Sequence, residues 1–195
     1  MSILKDRSFI GFLIKFFVIF GVCYYGTLGV IGLTVPGGRY VPFIHDHLDY
    51  VSGIRNSLLY GSKWALSLFG YDTYVAGGHN LRFFNGRGIR IEYECVGYGV
   101  MSFWIAFVLA SQGTAKRKIF WLLFGLLFIW LLNITRLSLL LLAINRGWPM
   151  PLGWDHHTWF NIFAYLFIFI FIWLFNRQPA TVAKSETGES KHHGN

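Results

Sequence analysis

The stretch Ile89-Arg90-Ile91-Glu92-Tyr93-Glu94-Cys95-Val96-Gly97-Tyr98-Gly99 changes its periodicity halfway along. Up to Glu94, apolar and charged residues alternate, the period-two pattern of a half-buried strand. A cysteine and two glycines follow, and then Val100-Met101-Ser102-Phe103-Trp104-Ile105-Ala106-Phe107, an uncharged run apolar enough to enter a bilayer. The pattern predicts a strand that hands over to the mouth of a membrane helix, with Cys95 at the junction. Two readings of the thiol are open: a small apolar residue filling a junction, or a reactive group with partial water access and the positive end of a helix dipole beside it.

Working outward, the whole chain has the same bias. Of 195 residues, 54% are hydrophobic, 19% aromatic and 13% charged, whereas soluble domains carry about 25% charged residues. The formal charge of +8 raises nucleic acid as a partner. Its basic residues sit beside apolar runs, however, which is a topology signal and not a phosphate-binding face, so no nucleic acid is expected. Cys23 lies in the middle of an apolar run, far from Cys95, and the two are expected to be free thiols.

Four apolar segments have the length of a bilayer crossing, about 20 residues: residues 9–33, 96–112, 119–144 and 160–175. Residues 54–69 alternate apolar and polar groups at helical spacing and predict an amphipathic helix in the interface. Leu81-Arg82-Phe83-Phe84, then Asn85-Gly86, then residues 87–94 predict a β-hairpin on a two-residue turn. The fold class expected is therefore an all-α integral membrane protein with about four transmembrane helices, plus an extracytoplasmic amphipathic helix and β-hairpin. Residues 1–178 form one membrane domain and residues 179–195 a polar tail expected to be disordered. Lys5 and Arg7, Lys116-Arg117-Lys118, and Arg177 with Lys184 fall on one side, which the positive-inside rule makes cytoplasmic. Arg146 is the exception among short loops.

With that topology three costly or reactive groups reach one depth. Cys95 opens an inward-running helix at the outer surface. His156 and His157 precede the last span, also at the outer surface. Arg136 lies about 17 residues along the outward-running third span, roughly 25 Å from its cytoplasmic end. A buried arginine in a span usually has a partner and a function, and Asn133 shares its helical face; snorkelling to headgroups is the alternative. The histidines read either as catalytic groups or as part of an interfacial aromatic belt with Trp154 and Trp159. If the thiol is a nucleophile, a histidine moves its proton and Arg136 steadies the thiolate or an oxyanion.

Glu94-Cys95-Val96-Gly97, Asn133-Ile134-Thr135-Arg136-Leu137 and Asp155-His156-His157 resemble the exosortase/archaeosortase family over roughly residues 89–175. Val96 departs from the Ser or Thr usual after the family cysteine. The resemblance implies a membrane-embedded cysteine transpeptidase at the outer face of the bacterial cytoplasmic membrane. Its site is Cys95, Arg136 and a histidine: His157 first, because Asn161 follows it as a small or polar residue follows the family histidine, with His156 remaining possible. Its partners are exported proteins ending in a short motif, one transmembrane helix and a basic cluster, with a membrane lipid amine or water as acceptor. No cofactor is implied.

Two rival classes remain: a non-catalytic membrane subunit of an export or polysaccharide assembly system, and a metal-dependent hydrolase using the histidines. His45-Asp46-His47 with Asp49 and His79 reads as a solvated or headgroup-binding loop, the alternative being a zinc site on an extended segment.

The charge asymmetry generates a first prediction. A membrane-impermeant maleimide added from outside tags Cys95 and not a cysteine placed at Arg117; the reverse pattern inverts the topology.

Overall fold

The computed structural model describes residues 7–35, 39–148 and 156–177, and among these the side chains of His156, His157 and Phe160 are not described. The tail 179–195, the stretch 149–155 and the helix-ending Pro36-Gly37-Gly38 lie outside the described residues.

Among the described residues six α-helices and a small sheet follow one another. The helices are α1 (Arg7–Thr34), α2 (Pro42–Leu48), α3 (Tyr50–Leu68), α4 (Tyr98–Ala110), α5 (Ala115–Arg146) and α6 (His156–Arg177). Between α3 and α4 run β1 (Thr73–Ala76), β2 (Asn80–Phe83), β3 (Gly88–Arg90) and a single 3₁₀ turn, Tyr93–Val96. Among the described residues three helical segments are long and apolar enough to cross a membrane: α1, the 3₁₀ turn with α4, and α5. The fourth expected span is α6, whose 22 residues rise about 33 Å. The described apolar part of α6, Asn161–Arg177, is shorter. The protein is an all-α membrane protein carrying a small sheet.

Helices α1 and α4 run antiparallel: Phe12 meets Phe107, Phe16 meets Phe103 and Tyr24 meets Tyr98, with ring centroids 5.2–6.2 Å apart. Helix α4 returns along α5, because Trp104, fully buried, donates its indole N–H to the Trp121 carbonyl at 3.0 Å. That approach is possible only because Gly125 has no side chain; a Cβ there would lie 2.0 Å from the Trp104 indole nitrogen. Phe171 of α6 then packs on Trp104, Trp121, Phe124 and Phe128. Dispersion between close-packed aromatic rings joins the helices here, since burial from lipid offers no hydrophobic gain.

The basic turn before α5 has a second use. Lys118 donates to the Leu109 carbonyl at 3.0 Å, and Arg117 donates to the Phe175 carbonyl and stacks on that ring, 4.3 Å from its centroid. Each cation satisfies an orphan carbonyl at a helix C-terminus and complements the negative end of the dipole.

Helix α3 begins four residues earlier than expected, where Asp49 accepts from the Ser52 N–H at 3.0 Å as an N-cap. It presents three faces. Val51, Arg55, Leu58, Leu59, Ser62 and Leu66 are buried; Tyr60, Trp64 and Leu68 form an exposed apolar stripe; Asn56, Lys63 and Ser67 form a polar edge between them. The buried face packs on the C-terminal half of α5, with Gly61 against Ile134 and Trp130 and Trp130 donating to the Ser57 hydroxyl at 2.9 Å. Helix α2 carries His45 and His47 on a helix, not on the extended segment expected. Two residues apart on a helix, the two rings leave on different faces. Among the described residues no group of three His, Cys, Asp or Glu side chains converges.

The sheet is antiparallel with order β1-β2-β3, one strand more than the expected hairpin. The overlooked turn is Gly77-Gly78, at φ of 52° and 78°, left-handed conformations that glycine adopts freely. The expected Asn85-Gly86 turn is instead part of a four-residue loop between Phe83 and Gly88, closed by the Gly86 N–H on the Phe83 carbonyl. The Asn145 side chain takes over pairing at this loop. It accepts from the Arg87 N–H at 2.7 Å and donates to the Arg87 carbonyl at 3.1 Å, which fastens the hairpin to α5.

The Trp104–Gly125 contact predicts that Gly125→Val lowers stability by about 1–3 kcal/mol, the usual cost of forcing atoms into a packed core. Thermal unfolding in detergent reads this as a lower midpoint, whereas Gly53→Ala, inside α3 with nothing within 4 Å of the added atom, does not lower it, since alanine is the better helix former.

Candidate active site

The strand-to-helix junction is sharper than the sequence suggested. After β3 the chain extends through Ile91 and Glu92, winds one 3₁₀ turn through Cys95, and breaks at Gly97 before α4 begins. Gly97 has φ of 75° and ψ of 27°, a left-handed conformation costing a side-chain-bearing residue about 1–2 kcal/mol. Between turn and helix the Val96 carbonyl is left without a partner in either. Asn133 of α5, fully buried, donates its side-chain N–H to it at 3.1 Å. A Cβ on Gly97 would lie 2.8 Å from that same nitrogen. Two demands therefore fall on one position, the backbone angle and the space for Asn133.

Asn133 was expected to brace Arg136. Its amide instead holds the turn that carries Cys95, and its own carbonyl oxygen accepts no hydrogen bond among the described residues.

Cys95 is 7% exposed and belongs to an apolar cluster with Leu58, Leu59, Ile91, Ile134 and Leu137. The expected partial water access is absent: the 3₁₀ turn directs the side chain toward α3 and α5. Neither cysteine is in a disulfide. An impermeant maleimide therefore meets a buried target at Cys95, and an Asn85→Cys variant on the exposed hairpin loop is the better reporter of the same side.

Beside this turn, α1, α4, α5 and α6 enclose a cleft of about 500 Å³. Glu94 and Gly97, which bracket Cys95, line it together with Arg136, Asn161, Tyr98 and Tyr165. Tyr24, Tyr25 and Phe20 of α1 close the far wall. Arg136 is 9% exposed, so its guanidinium is held inside the protein and does not reach out to headgroups.

Asn161 and Tyr165 share the i, i+4 stripe of α6 that faces the cleft. Position 157 lies four residues before Asn161 in α6 and position 156 five; farther along α6, Ala164 and Ile168 are buried against α4 and α5.

The structure brings Arg136 and the Asn161–Tyr165 stripe of α6 to one cleft, and it places the Cys95 side chain outside that lining, among residues of α3 and α5. It also adds groups that sequence reasoning passed over. Tyr24 and Tyr25 form an amphipathic pair inside a largely apolar span, a signal available from the sequence. The pairing of Asn133 with Val96 had no such signal, because the residues are 37 apart and one partner is backbone.

No curated protein and no solved structure matches the chain. Residues 10–180, nearly its whole length, match the family described as Transmembrane exosortase. The chain belongs to the transmembrane exosortase family.

Proposed function

We propose that the protein is a membrane-embedded cysteine transpeptidase or protease that cleaves the C-terminal sorting signal of exported proteins at the outer face of the cytoplasmic membrane. The observation that carries the reading is the cleft that Arg136 lines together with Glu94 and Gly97, the residues on either side of the Cys95–Val96 pair. Cys95 acts as nucleophile. Its thiolate attacks the scissile carbonyl, an oxyanion forms, and collapse breaks the C–N bond to leave a thioester. His157 accepts the thiol proton and returns it to the departing amine. Water or a lipid amine then attacks the thioester, the same imidazole removes its proton, and the thiol is regenerated. Arg136 stabilises the thiolate and then the oxyanion, in a cleft where low dielectric strengthens both interactions. The 7% exposure of Cys95 limits competing water at the thioester and requires substrate to reach the sulfur through the cleft wall formed by Glu94 and Gly97.

That burial also favours a second reading, a non-catalytic membrane subunit in which Cys95 is a packing residue. A single experiment separates them. In cells expressing an exported reporter whose C-terminus has the motif, helix and basic cluster, Cys95→Ala leaves the protein inserted at wild-type level and full-length reporter accumulates. His157→Ala does the same, and His156→Ala retains processing within about threefold, far less than the loss expected of a missing general base. Normal processing by Cys95→Ala selects the subunit reading.

Arg136 gives an independent prediction. A planar guanidinium fork holds an oxygen in fixed geometry, and lysine is a compact point charge that cannot copy it. Arg136→Lys therefore falls nearly as far as Arg136→Ala, by about 10²–10³ in rate, the usual cost of an oxyanion contact. Processing rates for the three proteins across pH, at matched expression, check this. Recovery of the lysine variant at high pH shows that charge near the thiol suffices.

A further inference from the structure

The hydrogen-bond register of the sheet leaves one edge open beside the candidate site. The Phe83 N–H donates to the Arg87 carbonyl and the Ile91 N–H to the His79 carbonyl, with Leu81 opposite Ile89. Residues 87, 89 and 91 thus turn their backbone groups toward β2. In an antiparallel ladder the intervening residues turn theirs the other way. Gly88, Arg90 and Glu92 accordingly direct three N–H groups outward. The Gly88 and Arg90 carbonyls point the same way, while the Glu92 carbonyl is taken by the Cys95 N–H at 3.0 Å. Among the described residues β3 has no strand on that side.

Proteins normally blunt such an edge, since it is a template for another chain. Here it is not prolyl, no strand covers it among the described residues, and it continues into the turn that carries Cys95, three residues beyond Glu92. The solvent face of the strand pair is also charged. Arg82 and Arg90 are exposed on it, and Arg90 pairs with the Glu92 carboxylate at 2.8 Å. Arg82 and Arg90 flank a shallow cavity of about 400 Å³ over Gly88 and Ile89.

We propose that the outer edge of β3, residues 88–92, is the docking strand for the substrate: the exported protein's segment just outside its C-terminal membrane helix binds there as a fourth strand. Main-chain hydrogen bonds hold it, as in other strand-addition recognition. A carboxylate on the incoming segment complements the arginine face. Strand pairing fixes the peptide in the extended form and in a register that delivers one bond to Cys95, which shortens the search for reactive geometry. This rests on the proposed processing reaction for the identity of the occupant, and on the sheet register for the site.

The test does not need catalysis. In a Cys23→Ala, Cys95→Ala background, an Arg90→Cys variant is co-expressed with the reporter described above, carrying single cysteines at successive positions ahead of its membrane helix. Mild oxidation then captures neighbours as disulfides. Strand addition predicts crosslinks at every second reporter position over about four to six residues, with at least a fivefold contrast between adjacent positions, because side chains on a strand alternate faces. A period of three to four, uniform capture, or none overturns the proposal. The outcome for the reaction is separate: alternating crosslinks with normal processing by Cys95→Ala keep the docking strand and remove the nucleophile. A second measurement uses wild-type cysteines. Arg90→Pro deletes one outward N–H and leaves the β2–β3 ladder intact, so processing drops at least tenfold. Arg90→Ala, which loses the side chain but keeps that N–H, falls at least threefold less than Arg90→Pro at equal thermal stability. Equal effects of the two substitutions also overturn it.

Discussion

An unpaired backbone carbonyl at membrane depth is a cost that must be met, and one hydrogen bond meets it at the place where this fold is most irregular. The chain passes from strand through a 3₁₀ turn into α4 without forming a continuous helix, and the break at Gly97 leaves the Val96 carbonyl exposed to the protein interior. A buried group of this kind costs about 1–3 kcal/mol if left unsatisfied. The Asn133 amide supplies the donor. The left-handed glycine, the asparagine in the middle of an apolar span and the irregular turn are therefore one requirement expressed at three positions. Broken helices in membranes are tolerated only where protein supplies the missing partners.

Around that point the molecule separates into two packed regions. Aromatic rings of α4, α5 and α6 fill the end bearing the basic turn, with Trp104 at their centre. Aliphatic side chains of α3, the strands and the far half of α5 fill the other, and Cys95 sits among them. The cleft opens where these regions meet. It is polar enough to hold Arg136, Glu94 and several tyrosine hydroxyls, yet it is walled by spans.

Much of this was legible in the sequence because bilayer length and charge act over whole segments. The apolar runs located α1, α4, α5 and α6 within a few residues, and Asp49 marked the start of α3 once its capping role is considered. Local geometry was less legible. The sequence Asn85-Gly86 favours a tight turn, yet the side chain of Asn145, 59 positions from Gly86, reshapes the loop. Gly77-Gly78 supplied the extra hairpin but had no flanking alternation long enough to be recognised. The direction of the Cys95 side chain could not be read at all. A 3₁₀ turn rotates successive residues by about 120° instead of a strand's 180°, so alternation from Ile89 and Ile91 does not carry through to residue 95.

The length of α5 has a further consequence. Lys118 and Arg117 fix its start by binding the ends of α4 and α6, and Asn133 fixes the turn with Cys95 farther along. Roughly 22 Å of uninterrupted helix separates Lys118 from Asn133. Helices stretch very little, so the spacing works as a fixed gauge between the basic turn and the turn that carries the thiol. On the proposed reading, the substrate is selected partly by stature: its membrane helix must lift the bond to be cut by that same height. Membrane thickness then becomes part of specificity, because a thicker or thinner bilayer displaces a freely sliding substrate while leaving the gauge unchanged.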